Sequence, residues 1–237
     1  MTRRRFIADE VSGDRAALLG DHADHLVRVL RARVGQEFDI STSATVRRGQ
    51  ITSLNAGRVE FDLREEIPAA IPQELTLFLA IFKFDRMEWA IEKCTELGVS
   101  RIVPLLSRRT DSHLAAASAK RVERWQRIAR QAAEQSRRAV PPEISAPIKL
   151  SDALHLPQTL RIVLAESEAH TLLRDVMQPE AASAAIALAI GPEGGWTDDE
   201  LKSFHQSGWI SASLGDTILR AETAAIAATA IVISATL

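Results

Sequence analysis

The sequence has little of what several protein classes require. It contains no tyrosine and only one cysteine, Cys94, so no disulfide can form within the chain. No apolar run approaches the ~18 residues that a transmembrane helix needs. No charged-then-apolar leader stands at the N-terminus either. We therefore expect a cytoplasmic protein with no membrane partner and no bound metal.

Charge is distributed unevenly, although the formal net charge is only -2. Residues 101–138 hold ten lysines and arginines against three acidic residues, whereas residues 150–237 hold four bases against eleven acids. Such asymmetry indicates a basic surface for a polyanion, which the global charge conceals. A solvated, arginine-rich helix face would produce the same pattern, so charge alone leaves both interpretations open.

The N-terminal region, residues 1–70, predicts a small β-barrel with one helix. Turn signals separate short segments that are typical of strands, namely Arg5–Ala8, Glu37–Ser41, Ala44–Thr52 and Arg58–Leu63. Asp21 is expected to cap the helix, which extends to Arg31. Pro68 and Pro72 then indicate a linker, because two prolines so close together cannot continue a helix or a central strand.

Residues 73–237 show strands alternating with helices, which predicts an α/β domain with a parallel sheet. The predicted strands are Leu75–Phe82, Ile102–Leu106, Leu160–Ala165, Ala184–Ile190 and Ile210–Leu214. The first predicted helix begins at a capping box formed by Asp85 and Glu88 and ends at Gly98. The other predicted helices are 118–138, 170–177, 198–207 and 222–236.

The sharpest local feature is a glycine-rich turn, Gly191-Pro192-Glu193-Gly194-Gly195, between a predicted strand and a helix. Thr197 and Glu200 can cap that helix reciprocally. Ligands of open α/β sheets bind at the carboxyl ends of strands, and glycines let them approach the backbone. The turn fits neither the Gly-Lys-Ser/Thr loop nor the Gly-x-Gly-x-x-Gly spacing of common nucleotide sites. A tight turn without a ligand is the alternative.

Two further strand ends are expected to complete a pocket of three loops. They are Leu164–Ser167 and Leu214–Thr223, which follow predicted strands of the same parallel sheet. Glu222 in the second of these opens the last helix. A carboxylate at that position also simply complements the helix dipole, so both roles are open for Glu222.

Motifs along nearly the whole chain resemble those of the RsmE-type small-subunit (16S) ribosomal RNA uridine-N3 methyltransferases, which belong to the SPOUT superfamily. The motifs are Arg5-Phe6, His25–Arg31 with Gly35, Lys93–Val99 with Pro104, Glu134-Gln135-Ser136-x-Arg138, the glycine turn, and Leu214–Ala224. This sequence departs from the family pattern at Ala221, usually threonine, at Cys94, often alanine, and at Trp196, often phenylalanine. The departures bear on substrate geometry and not on the class.

The resemblance implies a PUA-like RNA-binding barrel at 1–70 and a SPOUT methyltransferase domain with a trefoil knot at 73–237. It implies S-adenosylmethionine as cofactor, a homodimer, and methylation of uridine N3 in 16S ribosomal RNA within an assembled 30S particle. The cofactor-binding residues are then expected to be Leu164, Ala165, Glu166, Ile190, Gly191, Pro192, Glu193, Gly194, Leu214, Gly215, Ile218, Leu219 and Arg220.

The reaction needs groups that stabilise negative charge on uracil, and RNA needs cations. The catalytic candidates are Arg109, Arg138, Arg220 and Glu222, and the candidates for the proton acceptor are His25 and His113. The RNA-binding candidates are Arg4, Arg5, His25, Arg28, Arg31, Arg130 and Arg137. Two alternatives stay open: a non-catalytic RNA-binding protein of ribosome assembly, and a knotted methyltransferase acting on transfer RNA or on ribose.

Overall fold

A computed structural model describes residues 4–42, 45–68, 73–157, 159–177 and 184–236. Two compact units are present: Met1–Ile71 with Ala133–Pro141, and Pro72–Ala132 with Pro142–Leu237. Ala44 and residues 69–72 of the predicted linker lie outside the described residues. No described helix is long and apolar enough to cross a membrane. Within the described ranges, no cluster of three or more His, Cys, Asp or Glu side chains could hold a metal ion.

The first unit is built on a six-stranded, mainly antiparallel sheet. Its strands are β1 (Arg5–Ile7), β2 (Glu10–Ser12), β3 (Arg15–Leu19), β4 (Glu37–Ser41), β5 (Val46–Asn55) and β6 (Arg58–Ile67). Their order in the sheet is β1-β4-β5-β6-β3-β2, and only β1 and β4 run parallel. Leu18, Leu26, Ile40, Val59 and Phe61 fill the core of this unit.

The sequence analysis missed β2 and β3. All three residues of β2 are exposed, so the strand has no alternation of apolar and polar positions to reveal it. Three consecutive residues of β3 are buried, which also removes the alternation. The four predicted strands of this region are confirmed in position, with β5 and β6 longer than expected.

The predicted helix is present but differs in its start and in its winding. A short helix, α1 (Gly20–Asp24), passes directly into a π-helix, His25–Val29. The predicted cap at Asp21 is wrong. The helix starts at Gly20, so Asp21 lies inside its first turn, and no side chain caps the helix. Arg31 follows with a positive φ of 49°.

Residues Ala133–Pro141 group with this first sheet, although the sequence analysis placed them in the 73–237 range. The Glu134 carboxylate accepts a hydrogen bond from the backbone N–H of Ile7 at 3.1 Å. The Ser41 hydroxyl donates to the carbonyl of Ala139, and the Arg5 guanidinium donates to the carbonyl of Arg137. These bonds attach the segment to β1 and β4.

The second unit contains a parallel sheet of seven strands among the described residues. They are β7 (Leu75–Ala80), β8 (Arg101–Leu106), β9 (Glu143–Ile144), β10 (Ile148–Lys149), β11 (Leu160–Leu164), β12 (Ile186–Ile190) and β13 (Ile210–Ala212). The order is β10-β8-β7-β12-β11-β13, with β9 paired to β8. Every residue of β7 and β12 is buried, which is why both strands read as continuous apolar runs.

Helices connect these strands, as the alternating pattern predicts. They are α2 (Phe84–Leu97), α3 (Ser112–Ser118), a 3-10 turn (Ala119–Arg121), α4 (Val122–Gln135), α5 (Leu150–Ala153), α6 (Leu173–Val176), α7 (Asp198–Gln206) and α8 (Ala221–Ala235). Residues 118–138, predicted as one helix, hold the end of α3, the 3-10 turn and α4. An unrecognised N-cap explains α3: the Asp111 carboxylate accepts from the N–H groups of His113 and Leu114.

The predicted capping box at the start of α2 is wrong. The helix begins at Phe84, so Asp85 lies inside its first turn and no side chain caps it. Glu88 instead pairs with Arg124, with Nε and Oε1 2.6 Å apart. The predicted end at Gly98 is confirmed: Gly98 has a φ of 119° and closes the helix in a left-handed conformation.

Helices α2 and α8 pack against each other through small side chains. Ala225, Ala228 and Val232 of α8 are fully buried in the same core as Cys94 of α2. The Thr229 hydroxyl donates to the Cys94 sulfur at 3.4 Å. Burial raises the pKa of the Cys94 thiol to about 12, so the thiol stays protonated at neutral pH.

We expect Gly98→Ala to lower the free energy of unfolding by about 1–2 kcal/mol, because alanine resists the left-handed conformation. The new Cβ would lie 3.5 Å from Ile233, an ordinary contact, so the loss is conformational. Gly98→Asn, which tolerates this conformation better, should lose less. Urea denaturation measures both variants, and equal stability of Gly98→Ala and the natural chain would contradict the assignment.

Candidate active site

Three neighbouring strands end at one edge of the parallel sheet. β11 pairs with β12 on one side and with β13 on the other, and all three run in the same direction. The segments that follow are the first loop (165–172), the glycine turn (191–195) and the third loop (213–220). The structure therefore brings together the three segments that the sequence analysis assigned to one pocket.

The glycine turn is compact and attached to the end of β11. The N–H of Gly195, whose φ is 68°, donates to the carbonyl of Pro192 at 2.8 Å. The Trp196 indole donates to the carbonyl of Leu164 at 3.0 Å. A Cβ on Gly191 would lie 3.3 Å from the Trp196 ring, so the ring leaves little room for a side chain there.

Backbone hydrogen bonds connect the first and third loops and the residues that flank them. Ala165 donates to Ala212 at 3.0 Å, and Leu173 donates to Ser213 at 2.9 Å. Ser213 in turn donates to Thr171 at 2.9 Å. The two loops therefore leave the sheet side by side, and the bonds satisfy backbone groups that would otherwise lie unpaired at the strand ends.

Arg109 lies against the glycine turn. Its guanidinium donates to the carbonyl of Gly194, and its Cδ lies 3.3 Å from the position that a Cβ on Gly194 would take. A Cβ on Gly195 would have both Arg109 Nη1 and Glu166 Oε2 at 3.9 Å. Both side chains are exposed, so an arginine and a carboxylate flank the turn and remain accessible to a ligand.

Glu200 fixes the position of the segment that carries Arg109. Its Oε2 accepts from the N–H of Thr197 at 2.8 Å, while the Thr197 hydroxyl accepts from the N–H of Glu200 at 3.3 Å, which confirms the predicted capping box. Its Oε1 accepts from the N–H of Arg108 at 2.7 Å. The sequence analysis missed this last bond, because no local signal marks a partner 92 positions away.

Glu222 is almost fully buried, with 3% of its surface exposed. Its Oε1 lies 3.7 Å from Nε of Arg86, a residue of α2 that the sequence analysis did not single out. Its Oε2 has no hydrogen-bond partner in the part of the chain that the structure describes. A buried carboxylate oxygen without a donor is costly, so a ligand that supplies one would stabilise this arrangement.

Two candidate residues of the third loop, Ile218 and Arg220, have exposed side chains. Arg220 is exposed immediately before α8. Ile218 is 79% exposed, the largest exposed fraction among the large apolar side chains that the structure describes. The side chains of Ile218 and Arg220 are thus free for contacts outside this chain, while the backbone of the loop is available to a ligand.

The remaining candidates divide between the units. Six RNA-binding candidates lie in the first unit, namely Arg4, Arg5, His25, Arg28, Arg31 and Arg137, whereas Arg130 lies in the second. The catalytic candidate Arg138 also belongs to the first unit. Partial burial lowers the pKa of Arg138 to about 10, which still leaves it charged at neutral pH.

Comparison with known proteins identifies the class. The family model of the RNA methyltransferase domain matches residues 69–233, which include the parallel sheet and all three loops. The chain is 36% identical over 204 residues to ribosomal RNA small subunit methyltransferase E of Synechocystis sp., covering 84% of this chain and 66% of that protein. The Rickettsia conorii protein of the same name is 33% identical over 219 residues, or 90% and 87% of the two chains.

Solved structures agree with these relatives. Ribosomal RNA small subunit methyltransferase E of Neisseria gonorrhoeae, bound to S-adenosyl methionine, has a TM-score of 0.85 and 31% identity over 97% of this chain and 96% of that one. A Legionella pneumophila methyltransferase in complex with the same cofactor has a TM-score of 0.87 and 28% identity, covering 99% and 98%. The chain belongs to the ribosomal RNA small subunit methyltransferase E family.

We expect Glu200→Gln to destabilise the chain by about 1–3 kcal/mol, because one of its two backbone donors would then face an amide NH₂ group. Thr197→Val removes the cap from α7 at a cost of about 1 kcal/mol but leaves the bond from Arg108 to Glu200. Hydrogen exchange distinguishes the two variants: the Arg108 amide should exchange faster in Glu200→Gln alone. Equal protection of that amide in both variants would contradict the assigned role.

Proposed function

We propose that this chain transfers a methyl group from S-adenosylmethionine to N3 of a uridine in small-subunit (16S) ribosomal RNA. The observation that carries the proposal is the similarity to the cofactor-bound Neisseria gonorrhoeae enzyme over 97% of this chain. The family model agrees, because it covers the sheet and the three strand-end loops of the second unit.

The residues at the strand ends fit this cofactor. The glycine turn removes side chains from a loop, so adenosine and methionine groups can reach its N–H and carbonyl groups. S-adenosylmethionine carries a sulfonium and an ammonium group, and the buried Oε2 of Glu222 has no donor among the described residues. The residues that would hold the cofactor are Leu164, Ala165, Glu166, Ile190, Gly191, Pro192, Glu193, Gly194, Leu214, Gly215, Ile218, Leu219 and Arg220, with Glu222 beside them.

The chemistry requires an N3 atom that has lost its proton and a methyl group in line with it. Bound S-adenosylmethionine supplies the electrophilic methyl group. Arg109 and Arg220 are exposed at the pocket and would stabilise negative charge on the uracil oxygens, a role for which Arg138 of the first unit is a third candidate. His25 and His113 are both exposed and so accessible as proton acceptors.

The two units correspond to two domains in this proposal. The first unit would be a PUA-like RNA-binding barrel, which the curled six-stranded sheet and its exposed arginines support. The second would be a SPOUT domain with a trefoil knot. In its favour, β12 lies between β7 and β11, and α8 returns from the far edge of the sheet to pack on α2. The proposed domain ranges are 1–70 and 73–237, with the segment Ala133–Pro141 of the second range attached to the sheet of the first.

The enzyme would act in the cytoplasm as a homodimer on a 30S particle. An apolar surface around α8 and α2 supports the dimer, because Ile226, Ile231 and Ile233 of α8 are only partly buried. Trp89 of α2 is 49% exposed. A second copy of the chain would cover these side chains, as oligomeric interfaces commonly do.

Nucleoside mass spectrometry tests the function directly. Small-subunit RNA from a strain that lacks the gene should contain no N3-methyluridine at the target site, and incubating its 30S particles with the purified chain and S-adenosylmethionine should restore it. Calorimetry should show one cofactor molecule bound per chain. Persistent N3-methyluridine in the deletion strain would refute the function, and RNA binding without cofactor binding would favour a non-catalytic assembly protein.

Removing one phosphate contact should flatten the salt dependence of RNA binding. For Arg28→Ala we expect the slope of log affinity against log salt to fall by about 0.7–0.9. The Arg28 guanidinium lies 3.4 Å from Asp24 on the same helical segment, a weak exposed pair, so stability should change little. Filter binding with 30S particles at several salt concentrations measures the slope, and an unchanged slope would exclude Arg28 from the interface.

A further inference from the structure

Two arginines of the first unit occupy backbone conformations that glycine normally takes. Among the described residues, Arg31 with a φ of 49° and Arg137 with a φ of 60° are the two positive-φ residues that are not glycine. All eight other described residues with positive φ are glycines. A side chain resists this conformation because its Cβ crowds the following carbonyl oxygen.

Arg137 lies two residues after the end of helix α4, beyond Ser136. Its N–H donates to the carbonyl of Glu134 at 3.2 Å, and the next N–H, of Arg138, donates to the carbonyl of Ala133 at 2.8 Å. The same pair of bonds closes α2, where the corresponding residue is Gly98. Within one chain, the same helix ending therefore uses glycine in one place and arginine in the other.

Arg31 lies two residues after the π-helix His25–Val29. The N–H of Leu30 donates to the carbonyl of His25, and the N–H of Ala32 donates to the carbonyl of Leu26, both at 3.0 Å. Arg31 lies between these two bonds and, like Arg137, has a positive φ. Glycine would be the ordinary choice at both sites, because it adopts the left-handed conformation without strain.

Contacts within the unit do not explain these arginines. Both side chains are exposed, and neither guanidinium has a hydrogen bond or an ion pair with a residue that the structure describes. Other arginines of the same sheet differ: Arg47 bonds to Asp14 at 2.8 Å, and Arg48 bonds to Asp39 at 2.9 Å. The strain at Arg31 and Arg137 is therefore not offset inside the fold.

We propose that Arg31 and Arg137 are phosphate-binding residues, held at glycine positions because RNA requires their charge there. A strained helix ending fixes the direction in which each side chain leaves the backbone, which favours a defined contact over a mobile surface charge. The carbonyl of Arg137 also accepts a hydrogen bond from the Arg5 guanidinium, which attaches this turn to β1. The inference rests on the proposed RNA methyltransferase function, and it specifies two of the cations that contact the RNA.

Paired substitutions separate strain from charge. Arg31→Gly and Arg137→Gly remove both, whereas Arg31→Ala and Arg137→Ala remove the charge and keep the strain. In thermal unfolding, each glycine variant should melt about 2–8 °C above the matching alanine variant and above the natural chain. Affinity for 30S particles from the deletion strain should fall about three- to tenfold in all four variants, with the salt slope reduced by about 0.7–0.9 in each.

Arg15→Ala is the control, because Arg15 is an exposed arginine of the same sheet in ordinary strand conformation, 3.8 Å from Asp62. It should bind the particles like the natural chain. The inference is overturned if the glycine variants bind particles normally, if they are no more stable than the alanine variants, or if Arg15→Ala weakens binding equally. In each of these cases a natural chain that still methylates the particles leaves the proposed function intact, whereas failure of methylation refutes that function itself.

Discussion

The parallel pairing of β11 with β12 on one side and β13 on the other is the constraint on which the active site depends. Leu160–Val163 align with Ile186–Ala189, and Ile162–Leu164 align with Ile210–Ala212. Side chains alternate between the two faces of a strand, so a slip of one residue would exchange those faces and displace the loop that follows. Burial of β12 on both faces makes such a slip costly, and the strand ends therefore hold the loops in fixed relation.

A few polar groups then convert this edge into a defined site. The Trp196 indole joins the glycine turn to the end of β11, and the Glu200 carboxylate joins the start of α7 to the backbone of Arg108. Each of these side chains is largely buried, so its hydrogen bonds face little competition from water. Arg109 lies next to a residue held in this way, which explains how an exposed side chain obtains a defined position.

Sequence patterns predicted features whose determinants are local. The Thr197–Glu200 cap, the end of α2 at Gly98 and the buried strands of the second sheet depend on neighbouring residues or on continuous apolar runs, and all are confirmed. Patterns failed where a side chain finds its partner far along the chain. Glu88 was read as a cap because its pairing with Arg124 leaves no local trace, and the attachment of Ala133–Pro141 to the first sheet was invisible for the same reason.

Because the chain has no tyrosine, its near-ultraviolet fluorescence comes from tryptophan. All four, Trp89, Trp125, Trp196 and Trp209, belong to the second unit, so near-ultraviolet fluorescence reports on that unit alone. The first unit is spectroscopically silent in this range apart from weak phenylalanine absorption. Because the Trp196 ring lies against Gly191 and is anchored to Leu164, its emission is a natural reporter for occupancy of the glycine turn.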